Sequence, residues 1–322
     1  MKKRCLIISL LIIAILFGGC RKSTDQFFSY HDNLSSVKSD LGLKLSENDF
    51  YAQNLIKLTD EDYGNYDDLV DSEAALLFDI TNKEAIYVKN PYEKLFPASL
   101  TKLMTALIVL KRGELTDTVT VSYNASHIPV PGAKVCGFKE GDVISLEALL
   151  HCLLIYSGND ASITIAEHMS GSEEAFVKEM NTEAKKLGAV HTNFVNSHGL
   201  HDDNHYTTAY DLYLIFNELI KYDTFINIIN QSTYKFDYSD KDGNNKTLTV
   251  KTTNLYLRNE KQSPENIEII GGKTGVTSKA GNCLILLSKD SENNQYISLV
   301  LKAPDSDVLY SDMSDLFSLI NE

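Results

Sequence analysis

This chain has little cysteine, no internal basic run and only one long apolar run. Of the five cysteines in 322 residues, Cys5 and Cys20 lie in the N-terminal leader, leaving Cys136, Cys152 and Cys283. That number is odd and no pair has a short motif spacing, so the three read as small buried hydrophobes rather than as disulfide partners. After Lys2, Lys3 and Arg4 no basic run occurs, and the formal net charge is −14. Such a balance excludes a nucleic-acid binder held by phosphate contacts. The apolar run, residues 5–17, is shorter than the roughly 20 residues a membrane-spanning helix needs. No internal repeat is visible. The remainder, 43% hydrophobic and 23% charged overall, has the composition of a globular protein of one or two domains.

What is present at the N-terminus is a secretory pattern: a basic start, the apolar run, then Gly18-Gly19-Cys20. Small residues before a Cys resemble a bacterial lipobox, although Phe17 stands where that pattern prefers Leu. Residues 1–19 are therefore read as a lipoprotein-type signal peptide and Cys20 as the lipidated residue, with an uncleaved anchor as the alternative. Either way the rest is exported, to the outer face of the cytoplasmic membrane. Removing residues 1–19 takes away Lys2, Lys3, Arg4 and no acid, so the net charge of −14 becomes −17. Residues 20–70 are polar and acidic, with little periodicity, and read as a tether with a short helix around residues 50–58.

The folded part is expected over residues 71–322. Residues 74–80 and 85–89 read as strands about a turn at Thr81-Asn82-Lys83-Glu84. Helical apolar spacing marks residues 146–155, 161–169 and 173–187, and the last helix repeats Leu309, Met313, Leu316, Phe317 and Ile320. Residues 267–270, 283–288 and 296–301 read as strands. Strands at both ends with helices between them predict an α+β fold, its five strands closing one antiparallel sheet.

Three short motifs carry chemistry. Ser99 and Lys102 open an all-apolar helix and share a face one turn apart. Ser157-Gly158-Asn159-Asp160 follows the helix ending near Ile155. Lys273-Thr274-Gly275 follows a strand. Each is weak alone: Ser-x-x-Lys recurs at Ser35 and Ser232, Ser-x-Asn at Ser46, Ser122 and Ser291, and both serines are equally good helix caps. The ordered set is the pattern of penicillin-recognising serine enzymes.

With these motifs, the segments ASLTKLMTAL (98–107), GFKEGD (137–142), LLHCLLIYSGNDA (149–161), NSHGLHDDNHYTTAYDL (196–212) and GGKTGVTSKAGN (271–282) resemble the low-molecular-mass penicillin-binding proteins, the serine D-alanyl-D-alanine carboxypeptidases. The likeness covers residues 72–322. It implies the serine β-lactamase/DD-peptidase (transpeptidase-like) fold, a five-stranded antiparallel sheet covered by helices with an all-α subdomain. It implies Ser99 as nucleophile, Lys102 as its base and Ser157 as proton relay. Asn159, Lys273, Thr274, Gly275 and Thr277 would bind substrate, and the backbone N–H groups of Ser99 and Val276 would form the oxyanion hole. Peptidoglycan stem peptides are the implied substrates and β-lactams the acylating inhibitors; no metal or cofactor is implied. For Lys102 to be a base it must be neutral, which burial and the nearby Lys273 would favour.

Two departures from relatives stand out. Many relatives carry an Arg soon after the last strand to hold the substrate carboxylate, whereas residues 303–312 contain none, leaving Lys273 and the threonines. Many also continue into a C-terminal β-domain and an anchoring helix, for which an N-terminal lipid would substitute here. Rival readings are a DD-endopeptidase, a β-lactamase, a non-catalytic penicillin sensor and a zinc hydrolase. Residues 190–210 contain no Glu to activate deacylating water, which disfavours the β-lactamase. The zinc reading rests on His198, His201, Asp202, Asp203 and His205.

Overall fold

The computed structural model describes residues 55–59 and 69–321; the signal sequence and Cys20 lie outside them. In chain order the elements are β1 (Ala74–Asp79), β2 (Glu84–Lys89), a 3₁₀ turn (Ala98–Thr101), α1 (Lys102–Arg112), β3 (Thr118–Thr120), α2 (Tyr123–Ser126), β4 (Val143–Ser145) and α3 (Leu146–His151). A π-helical turn (Cys152–Tyr156) follows, then α4 (Asn159–Ser170), α5 (Glu173–Lys186), α6 (Ala209–Leu219) and α7 (Asp223–Ile229). The C-terminal part contains β5 (Thr233–Ser239), β6 (Asn245–Lys251), β7 (Glu268–Thr277), β8 (Gly281–Lys289), β9 (Gln295–Ala303) and α8 (Ser306–Ser318).

The main sheet has five antiparallel strands in the order β2-β1-β9-β8-β7, so its first and last strands in sequence are neighbours, β1 pairing β9. Its central strands carry near-continuous apolar runs, residues 74–78 of β1, 283–287 of β8 and 299–301 of β9, because both faces are covered. Alternate residues divide between two cores: Ala74, Leu76 and Phe78 of β1 join one with α1, whereas Ala75 and Leu77 join the other with Leu309, Met313, Leu316 and Phe317 of α8. Strand β8 splits likewise, Ile285 and Leu287 against Leu284 and Leu286. The helix stripe read from the sequence is thus the lid of the outer face. β7, carrying Lys273-Thr274-Gly275, is the edge strand beside the 3₁₀ turn.

The five-stranded sheet and its helical cover agree with expectation. The helical region, however, is not all-α: it also holds a second sheet, ordered β3-β4-β5-β6. Its β5–β6 hairpin turns at Asp240–Asn244, where Asp240 accepts the backbone N–H groups of Asp242 and Asn244. Tyr234, Phe236 and Tyr238 alternate along β5, and Phe236 is buried. That period of two was present in the sequence, masked by the exposed polar residues between. The stray Ser232…Lys235 copy ends on this hairpin, with Lys235 exposed, and Ser122 simply caps α2 by accepting Ala125 N–H.

Residues 55–59 carry no helix. Ile56 is instead buried, its N–H donating to Tyr213 Oη at 3.0 Å and its carbonyl accepting from Tyr210 Oη at 2.7 Å. Part of the acidic stretch therefore docks on α6. Asp312 of α8 ties down the chain before β1, accepting the backbone N–H groups of Asp71 and Ser72.

Candidate active site

α1 begins at the sheet edge, and its first eight residues, Lys102 to Val109, are all buried. The turn that delivers Ser99 is held in an uncommon conformation, Ala98 having φ +46°, in the left-handed region that residues with a Cβ seldom occupy. Two glycines admit it. A Cβ on Gly199 would lie 1.8 Å from the Ala98 carbonyl oxygen, and one on Gly275 would lie 3.0 Å from Ser99 N. β7 and the 196–205 loop can pack against the turn only because both lack a side chain.

Ser99 is not a helix cap; no side chain caps either the 3₁₀ turn or α1. Lys102 Nζ instead lies 3.1 Å from Ser99 Oγ, and it donates to Asn159 Oδ1 at 2.7 Å and to the His198 carbonyl at 2.6 Å. A neutral amine has two N–H donors and one lone pair. Here two acceptors take the donors, and the third neighbour is a hydroxyl able to donate to the lone pair. Burial lowers the Lys102 pKa from 10.5 to about 7, opposed by Asp160 and Cys136 and reinforced by Lys134. Lys134, from a loop, thus joins the expected Lys273 in disfavouring the charged form of Lys102. Lys273 is itself pushed well below its ordinary value, by burial first and then by Lys102 and Lys134.

Ser157 follows the π-helical turn in a left-handed conformation, φ +72°. Such turns recur at functional sites. Ser157 is the C-cap residue of that turn, and α4, which begins at Asn159 after Gly158, has no side-chain cap. Its Oγ accepts from Lys273 Nζ at 2.9 Å, and Lys273 also donates to the Thr274 carbonyl at 2.8 Å. The three motifs, distant in sequence, therefore meet at one place. Ser99, Ser157, Asn159, Thr274, Gly275, Val276 and Thr277 all line a cleft of about 440 Å³, a volume typical of small-ligand sites. Lys102 and Lys273 lie beneath its floor, 0% and 1% exposed. Thr277 Oγ1 accepts Ala280 N–H at 3.0 Å, so its hydroxyl proton remains for a ligand.

Several contributors gave no sequence signal. Thr253 Oγ1 lies 2.5 Å from Thr274 Oγ1, and Lys134 and Arg258 line the cleft from loops. Asp160, read as part of a turn, is a buried hub whose carboxylate accepts the backbone N–H groups of Cys136, Gly137, Phe138 and Ala161. It thereby holds the cleft wall at residues 133–138 against Asn159, whose N–H donates to the Lys134 carbonyl. Asp160→Ala should destabilise the domain by about 3 kcal/mol by orphaning these donors, lowering Tm by roughly 6–12 °C. Differential scanning calorimetry measures this, with Asp237→Ala, an exposed carboxylate on β5, as the near-neutral comparison.

The histidine-rich loop is committed to fastening itself. His205 Nε2 lies 2.8 Å from Thr101 Oγ1, its Nδ1 accepts Val195 N–H, and His198 Nδ1 accepts Leu200 N–H. His201 pairs with Asp203 and edges the Phe96 ring. Ser197 donates through N–H and Oγ to Glu173 of α5, which fixes the neighbouring carbonyl that receives Lys102.

The family model for D-alanyl-D-alanine carboxypeptidases, peptidase family S11, matches residues 63–305. The chain belongs to this family. It is 34% identical over 238 residues to the D-alanyl-D-alanine carboxypeptidase DacF of Bacillus subtilis, covering 72% of this chain and 58% of that one. The Streptomyces K15 DD-transpeptidase structure superposes with a TM-score of 0.71 at 26% identity, covering 78% of this chain and 97% of that chain. Penicillin-binding protein 5 from Haemophilus influenzae gives a TM-score of 0.68 at 29% identity, covering 77% and 70%. The family member described here spans about three fifths of the length of the curated relatives it matches. Its fold is that of the DD-peptidases.

Proposed function

We propose that the protein is a serine D-alanyl-D-alanine carboxypeptidase that removes the terminal D-alanine of peptidoglycan stem pentapeptides. The observation that carries this reading is the surroundings of Lys102 Nζ: two acceptors and the Ser99 hydroxyl, under a cleft lined by the other two motifs. Lys102 takes the Ser99 proton as Oγ attacks the carbonyl between the two D-alanines. The backbone N–H groups of Ser99 and Val276 receive the developing oxyanion, donors of a kind worth about 3 kcal/mol each. Ser157, held by Lys273, passes the proton to the departing amine. Water then releases the acyl group from Ser99. Asn159 aligns the peptide, while Thr274 and Thr277 face its carboxylate. β-Lactams enter the same path and stop at the acyl-enzyme.

Among the described residues lining the cleft there is no Asp or Glu, which supports slow rather than rapid loss of a penicilloyl group. The basic start, apolar run and Cys20 support export and attachment to the membrane by an N-terminal lipid. Among the described residues no helix is long and apolar enough to cross a membrane.

The test incubates the protein with a pentapeptide ending Lys-D-Ala-D-Ala and with benzylpenicillin. Release of one D-alanine per peptide and a penicilloyl adduct on the Ser99 peptide are expected, and Ser99→Ala should lose both. Turnover of penicillin without a lasting adduct, or cleavage confined to cross-linked dimers, would overturn the assignment in favour of a β-lactamase or an endopeptidase.

A further inference from the structure

The cleft carries no negative charge of its own. Among the described residues lining it there is no Asp or Glu, and its charged side chains are Lys134 and Arg258, in a chain whose net charge is −14. Arg258 has an acid beside it, Glu260. Lys134 has no ion pair among the described residues; its Nζ rests 4.5 Å from the centre of the Tyr156 ring. Partial burial and then the charge of Arg258 lower its pKa, opposed by Cys136. A carboxylate alongside would act the other way.

Lys134 stands on the wall next to the group that aligns the peptide. Its carbonyl accepts the Asn159 N–H at 2.8 Å, and Asp160 clamps the chain just beyond it by accepting the N–H groups of Cys136, Gly137 and Phe138. The ammonium is therefore presented from a fixed base. In the carboxypeptidase reading the terminal D-alanine turns its carboxylate to Thr274 and Thr277 on β7, while Asn159 holds the acyl part. The residue before the two D-alanines then leaves the cleft along the wall of residues 132–134. In a stem peptide that residue is a diamino acid. The side chain of L-lysine would bring a third cation to a place without an acid, which is unfavourable. The side chain of 2,6-diaminopimelate ends in an amine and a carboxylate on one carbon, and so brings the missing anion.

We propose that the cleft selects stem peptides whose third residue keeps a free carboxylate at the end of its side chain, as in 2,6-diaminopimelate, and that Lys134 is the side chain that receives it. This rests on the carboxypeptidase reading and deepens it by naming the substrate class. The terminal carboxylate stays with the threonines, and Lys134 acts on which peptide is chosen. A compact ammonium on a flexible stem suits a carboxylate that is itself at the end of a flexible chain. Complementary charge of this kind contributes to selectivity more than to raw affinity.

The experiment measures kcat/KM for D-alanine release from three pentapeptides that differ only at the third residue: L-lysine, meso-2,6-diaminopimelate, and the same diamino acid with its side-chain carboxylate amidated. Wild type should favour the free diaminopimelate roughly five- to tenfold over both others, the effect of one partly screened, charge-assisted hydrogen bond. Lys134→Gln should bring the three together, and Lys134→Glu should favour lysine. Ratios between substrates cancel any change in the basicity of Lys102, which all three feel alike. Added salt should shrink the wild-type preference. Wild type that treats the three alike or prefers lysine, or a preference that survives Lys134→Gln, overturns the proposal. Release of D-alanine from none of the three by wild type removes the carboxypeptidase reading and this inference with it. The Lys134 side chain is exposed and its structural hydrogen bond runs through the carbonyl, so both variants should keep the wild-type Tm.

Discussion

Lys102→Arg is expected to abolish acylation of Ser99, lowering the second-order rate with benzylpenicillin by at least about a thousandfold. The neighbouring acceptors, Asn159 Oδ1 and the His198 carbonyl, would still hold a cation, but a guanidinium has no lone pair to take a proton. The wild-type pH profile carries the same argument. A lysine at its ordinary value of 10.5 would be neutral in roughly one molecule in 3,000 at pH 7. With its pKa lowered to about 7 by burial, about half is neutral. The sign follows: below this value the ammonium has no lone pair and acylation falls tenfold per pH unit, and above it the rate reaches a plateau. Stopped-flow acylation between pH 5 and 9 measures the limb. A limb near pH 10, or full activity in Lys102→Arg, would remove Lys102 as the base. His198 and His205 do not blur the test, because burial holds both below their usual range.

The second large effect is expected from Gly199→Ala, a change of one methyl group outside the three motifs. That carbon would overlap the Ala98 carbonyl, at 1.8 Å from O and 2.5 Å from C, and sit 2.8 Å from Thr101 Oγ1. Ala98 O also accepts from Thr101 Oγ1, which contacts His205. Neither backbone can yield without moving the turn that carries Ser99. A displacement near 1 Å at a reacting centre costs about a hundredfold in rate. Added to the strain of φ +87°, it should lower Tm by roughly 5–10 °C. Gly171→Ala separates the two causes: φ is +78° there, but nothing lies within 4 Å of the added carbon. It should cost about 1 kcal/mol and leave acylation unchanged. Equal rates of acylation in Gly199→Ala and wild type would show that the loop is not what shapes the turn.

Much of the fold was legible where local pattern and burial agree. The apolar run of β1 signalled a strand and the stripe Leu309, Met313, Leu316 and Phe317 a helix; the structure shows the helix covering one face of that strand. Legibility failed where exposure dilutes the pattern. On β5 only Phe236 is fully buried, and the residues between its aromatics are Lys235 and Asp237. It failed again at 55–59, where two tyrosine hydroxyls on α6, more than 150 residues away, hold the chain without a helix. The site residues divide the same way. Ser99 with Lys102 and Ser157 with Asn159 sit within one turn of one another and announce themselves by spacing. Thr253, Lys134, Arg258 and Asp160 reach the site by loop packing, which has no period to read.

The amino-acid sequence alone determined which groups do the chemistry: a hydroxyl and an amine one helical turn apart, at the start of a helix apolar enough to be drawn inside. It also determined the five strands of the main sheet and the last helix, whose apolar stripe covers one face of it. Only the tertiary structure decided the electrical state of those groups, because desolvation is a property of everything packed around Lys102 and of nothing in its local sequence. It likewise decided where fixed positive charge meets the cleft, since Lys134 and Arg258 are more than 120 positions apart in the chain and become neighbours only when the sheet edge and its loops close together.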